Sequence, residues 1–124
     1  MTGARRASGS LPPSTFFLGV DVSADSLADL SAEALSRLYR RREASPVDVA
    51  QAVFARLDQW QPKINAFCFE DRERTLADAR ASEARWRAGA PLSPLDGVPI
   101  SIKDLILTQG WPTRRGSRTI DPDQ

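Results

Sequence analysis

One lysine stands where its neighbours are apolar. Lys103 follows Ile100 and Ile102, precedes Leu105, Ile106 and Leu107, and is joined directly to Asp104. Burial disfavours an ammonium and can lower its pKa by up to about 3–5 units, leaving an amine able to accept a proton near neutral pH. The plainer outcome of the same pattern is a strand-end lysine. Its stem would cover apolar surface while its head stays in water or meets a carboxylate. Residues 98–103 alternate, with Val98, Ile100 and Ile102 on one face and Pro99, Ser101 and Lys103 on the other. A strand there would carry Lys103 to its carboxyl end, beside Ser101, where open α/β sheets place their sites.

Other chemistries have little to work with. The chain has no histidine, so it holds no imidazole base or imidazole metal ligand. Its single cysteine, Cys68, lies in the apolar run Ile64-Asn65-Ala66-Phe67-Cys68-Phe69 and is expected to be a small buried hydrophobe. One cysteine forms no internal disulfide, which fits a reducing, cytoplasmic setting. No carboxylates cluster at ligand spacing and no glycines form a nucleotide fingerprint, so no metal or cofactor is implied. A formal net charge of +1 argues against a nucleic acid or acidic membrane recognised by bulk charge. No apolar run approaches the ~20 residues needed to span a bilayer.

Three helices and two or three short strands must position the lysine. From Ser26, Leu27, Leu30, Ala34 and Leu38 recur at helical spacing, widened by Leu35 and Tyr39. Arg37, Arg40, Arg41 and Arg42 then suit the negative end of a helix dipole. Ser45-Pro46-Val47-Asp48 is a helix start, with a capping serine, a first-turn proline and an acid placed to reciprocate the cap. Ala50, Val53, Phe54 and Leu57 form its buried stripe, and Gln61-Pro62 is expected to end it. Residues 64–69 suit a short strand in a covered sheet. A third helix is expected over roughly 71–88, with Ala77, Ala81, Ala84 and Ala88 facing a sheet and Gly89 as the stop. Asp96-Gly97 marks a turn, 98–103 a strand, and 105–108 a further short one.

Residues 1–24 are rich in Gly, Ser and Pro and are expected to be a disordered leader, with residues 25–124 forming the ordered part. Two or three short strands after three helices leave unpaired edges and apolar helix faces. The chain is therefore expected to be the front part of a longer protein.

Residues 95–117 carry a resemblance. The order is Gly97-Val98-Pro99, Ile100-Ser101-Ile102, Lys103-Asp104, Leu105-Ile106-Leu107, Gly110, Trp111, Pro112-Thr113 and Gly116-Ser117. This set resembles the amidase signature family. Weaker similarity runs from Leu27 to Gly89 and includes the Ser45-Pro46 helix start and the Ile64-Asn65-Ala66-Phe67 segment. The resemblance implies an α/β fold, a mixed sheet covered by helices, of which this chain is the N-terminal portion.

It also implies a function. The lysine matching Lys103 belongs to a Ser–cis-Ser–Lys triad, in which it acts as general base through a bridging serine. A second serine attacks an amide carbonyl and gives an acyl-enzyme, later hydrolysed. Both serines belong to a Gly/Ser-rich segment downstream of the lysine block, and no Gly-Ser-Ser-Gly stretch occurs in these 124 residues. Ser101 and Ser117 match no triad position, so they and Asp104 are expected to be supporting, structural residues. Trp111 would line a substrate pocket or serve ordinary loop packing.

The expected function is thus that of an amidase fragment, inactive alone, whose whole protein takes small-molecule amides. An alternative within the family is a glutamyl-tRNA(Gln) amidotransferase A-type subunit, which works with partner subunits. A homo-oligomer is compatible with either. A third reading is a non-catalytic helical module using the stripes at 27–39 and 50–57 to bind a partner.

Overall fold

The structure is a computed structural model that describes residues 27–121. The expected leader, residues 1–24, lies outside the described residues. Three helices form the frame: α1 (Ala32–Arg41), α2 (Pro46–Ile64) and α3 (Arg72–Arg87). Each begins on a side-chain cap. Ser31 Oγ accepts from Ala34 N–H, and Asp71 accepts from Arg74 N–H. Ser45 and Asp48 form a reciprocal box, each side chain accepting from the other's backbone N–H. These bonds satisfy amide donors that the first helical turn leaves open.

The ends are equally local. Gly89, at φ 71°, donates to the Trp86 carbonyl while Ala90 donates to Arg85, the double bond pattern that closes a helix through a left-handed residue. Arg42 takes the same left-handed shape after α1, at φ 60°. The second helix does not stop at Gln61-Pro62. Pro62 costs one hydrogen bond within the last turn, and the helix runs on to Ile64, where left-handed Asn65 donates to the Gln61 carbonyl at 2.8 Å.

α3 packs chiefly along α2, and α1 lies against the last turns of α3. Leu27, Leu35, Tyr39, Val49 and Ala52 make the buried core, with Leu38, Trp86 and Val98 packed around it. Arg72 ties α3 back to α2 by pairing with Asp58, and it also pairs with Glu70 just ahead of its own helix. The stripe of α1 is met in part: Leu35 and Tyr39 are buried and Ala34 and Leu38 half-buried, whereas Leu27 and Leu30 lie ahead of the helix, which starts at Ala32 on its Ser31 cap. That of α3 is not: Ala77, Ala81, Ala84 and Ala88 are exposed, and the buried face is Ala79 and Ser82.

The three strands expected at 64–69, 98–103 and 105–108 do not form among the described residues. A strand exists only when a neighbour takes up its backbone groups, and no second extended segment lies beside either of the first two. The third is displaced by a turn. Leu105 and Ile106 N–H both bond the Lys103 carbonyl, at 2.7 and 3.0 Å. Among the described residues the helices of the expected α/β arrangement are present and no strand of its sheet is.

Candidate active site

The segment that carries Lys103 leaves the helical frame at a built anchor. Asp96 is buried, and its carboxylate takes a forked pair of bonds from Arg85 Nε and a terminal guanidinium nitrogen, at 2.7 and 2.6 Å. Leu92 N–H adds a third bond at 3.0 Å. The Arg85 guanidinium, helped by Leu92 N–H, holds this carboxyl well below the usual carboxylate range. The Asp96 carbonyl accepts from the Trp86 indole at 2.9 Å.

Gly97 completes the anchor. Its carbonyl accepts from the Tyr39 hydroxyl at 3.1 Å, and its backbone sits at φ 80°. A Cβ there would lie 2.7 Å from Pro46 Cγ and 2.8 Å from Pro46 Cβ, so only glycine fits between α2 and α3. Tyr39 and Trp86 pack with ring centres 5.9 Å apart. Burial, aided by the Asp48 charge, pushes the Tyr39 phenol pKa up. All three helices thus hold the Asp96-Gly97 turn. In the sequence the pair signals only a turn. The overlooked signal is the arginine eleven residues upstream, facing a loop acid.

Past Val98 the chain runs out into solvent. Ile100 is 85% exposed, and Ile102, Leu105, Ile106 and Leu107 are exposed with it. Lys103 is exposed too, and no described side chain forms an ion pair with it. The dry surroundings expected of a proton-accepting amine are therefore not built by residues 27–121. Ser101 is exposed. Ser117 sits apart in the next loop, where its hydroxyl is 2.8 Å from that of Thr119 and accepts from Thr119 N–H at 3.1 Å.

Asp104 ties the lysine turn to that loop. Its Oδ1 accepts from Arg114 N–H at 2.8 Å and its Oδ2 from Gly116 N–H at 3.1 Å. Arg114 N–H first, then Gly116 N–H, hold this carboxyl below its usual value. Within the loop Thr113 is buried and its hydroxyl reaches the Ile106 carbonyl at 3.4 Å. Trp111 packs on Phe69 with ring centres 5.9 Å apart and lies under the Arg74 guanidinium at 5.5 Å. Cys68 is exposed rather than buried, because the 65–70 segment wraps the end of α2 instead of entering a sheet. Among the described residues no cluster of His, Cys, Asp and Glu is placed to hold a metal ion, and no helix is long and apolar enough to cross a membrane.

Comparison with known proteins covers the same stretch. A family model described as Amidase matches residues 48–122, from the α2 cap through the Asp104 loop. The chain is 43% identical over 95 residues to the A-type subunit of glutamyl-tRNA(Gln) amidotransferase from Myxococcus xanthus, covering 77% of this chain and 20% of that protein. The same-named protein of Salinispora arenicola is 44% identical over 94 residues, 76% of this chain and 19% of that one. That of Chloroflexus aggregans is 47% identical over 78 residues, 63% and 16%. The chain thus spans about a fifth of the length of these curated relatives. No solved structure matches it.

Proposed function

The chain belongs to the amidase family, and from that premise we propose that it is the N-terminal portion of an amidase domain whose general base is Lys103. The observation that carries the reading is Lys103-Asp104 inside the matched segment, projecting from the Asp96-Gly97 anchor with no ion pair among the described residues. In this reading the lysine amine takes a proton from a bridging serine. That serine in turn deprotonates the nucleophilic serine as it attacks the carbonyl carbon of a small amide. The C–N bond then breaks, the amine leaves with a proton, and water hydrolyses the acyl-enzyme. Both serines come from polypeptide beyond these residues, and Ser101 and Ser117 play supporting parts.

The apolar side chains around Lys103 support this reading by magnitude. Covering Ile100, Ile102, Leu105, Ile106 and Leu107 is worth on the order of 5–10 kcal/mol. That rivals the whole stability of a small domain, about 5–15 kcal/mol. A working protein does not leave so much in water around its base. The remainder of the domain covers it, supplies the mixed sheet and dries the amine.

The test is expression of the reading frame from Met1 to its natural stop codon, with ammonia release from small amides as the assay. Lys103→Ala should lower kcat by about 10²–10⁴-fold, the span of general-base catalysis. The 124-residue chain alone should be inactive. Turnover that survives Lys103→Ala overturns the assignment.

The names of the relatives favour a second reading, in which the whole protein is a glutamyl-tRNA(Gln) amidotransferase A-type subunit. It would act in the cytoplasm with partner subunits, and its amide would be the donor of ammonia. Glutamine hydrolysis that rises on addition of partner subunits and charged tRNA separates this from a free-standing amidase.

A further inference from the structure

Two loop segments meet at one carboxylate, that of Asp104. The Arg114 and Gly116 amides both donate to Asp104, one to each carboxylate oxygen. Arg115 and Gly116 both have positive φ, 53° and 69°. Left-handed backbone of this kind turns successive N–H groups toward one point and makes a concave seat for an anion. The chain fills that seat with its own aspartate.

The bonds are exposed to water, which would replace them with little loss of stability if the carboxylate were removed. What the carboxylate does supply is a fixed separation. Lys103 is the preceding residue, and its carbonyl is already bound by Leu105 and Ile106 N–H. The turn that bears the lysine and the loop at 112–117 are therefore joined through Asp104. The Thr113 hydroxyl, bonded to the Ile106 carbonyl, closes the same loop from within.

We propose that Asp104 is a positioning residue, which fills the seat formed by Arg114, Arg115 and Gly116 and so sets where the backbone turn presents Lys103 to the reacting groups. This rests on the reading of Lys103 as the base. A carboxylate is needed because it accepts on both oxygens at once. An asparagine keeps one acceptor and presents an N–H to the remaining donors.

The test compares Asp104→Ala and Asp104→Asn with the parent in the natural-length protein, reading kcat, KM and amide hydrogen exchange at Arg114 and Gly116. In Asp104→Ala, exchange at both amides should rise at least about tenfold and kcat should fall about 10–100-fold, the scale of an ångström's misplacement, with KM within about threefold. Asp104→Asn should recover part of the lost kcat. Unchanged exchange at Val98 shows that the frame stays folded; if Asp104→Ala does not fold, Asp104→Asn alone decides, by a kcat below the parent's at equal KM. Parental kcat in the folded variants overturns the proposal, as does a change confined to KM. Lys103→Ala is measured in parallel. An inactive Lys103→Ala beside fully active Asp104 variants refutes the positioning role alone, whereas an active Lys103→Ala refutes the base assignment beneath it.

Discussion

Replacing Gly97 by alanine tests whether the Asp96-Gly97 turn is held by shape. Two costs add at this position. An L-residue forced to φ 80° loses about 1–2 kcal/mol. The new methyl would also lie 2.7–2.8 Å from the Pro46 ring, well inside van der Waals contact. Pro46 is fully buried at the first turn of α2 and cannot swing aside, so overpacking adds about 1–3 kcal/mol. Gly89→Ala is the internal control. Gly89 has nearly the same backbone angle, φ 71°, but an added methyl would meet nothing within 4 Å, so it incurs the strain alone. Urea denaturation followed by circular dichroism should place Gly97→Ala below Gly89→Ala by about 1–3 kcal/mol. In a thermal melt that is about 4–8 °C per kcal/mol for a domain of this size. Equal losses in the two variants would show that α2 and α3 do not press on the turn, and the account of the anchor would fail.

Two further outcomes follow from the buried groups. Tyr39 is the chain's one tyrosine, so its phenolate absorbance reports on it alone. Folding raises its pKa, so its contribution to stability is complete below the usual value of about 10 and is lost as pH climbs above it; phenolate should appear only in step with unfolding. Ionisation at pH 10 with the helical signal intact would contradict the burial. For Asp96 the sign reverses. Its folded pKa is depressed by Arg85, so the ion pair stabilises above the unfolded value of about 4 and is lost as pH falls below it. Asp96→Asn should be less stable than the parent at pH 7, by urea midpoint, with the gap closing toward pH 2; a gap that stays constant would show that the charge contributes nothing.

The parts of the fold legible in the sequence are those decided within a few residues. The Ser45–Asp48 box and the Gly89 stop depend on hydrogen bonds of short reach, and both form as their residue types predict. The α1 stripe is equally plain because Leu35 and Tyr39 are large and bury themselves. In α3 the stripe misled. Alanines gain little from burial, so the face turned inward is chosen by Arg85, Trp86 and Ser82, which grip the Asp96-Gly97 turn. The strands were illegible for another reason: residues 98–103 have a strand's alternation, but extended backbone needs a neighbour that residues 27–121 do not provide. The same lack leaves Lys103 in water. Its residue type and flanking motifs were readable, and its surroundings were not.

The bond from Tyr39 to Gly97 spans 58 positions. During translation at about 5–20 residues per second, the tyrosine waits about 3–12 s for its acceptor to be made. Through that interval the nascent helices have the Arg72–Asp58 pair between them, but not the bond that fixes Tyr39 to the turn at Gly97. The latch arrives only six residues ahead of Lys103, so the turn that anchors this segment is made before the lysine it carries.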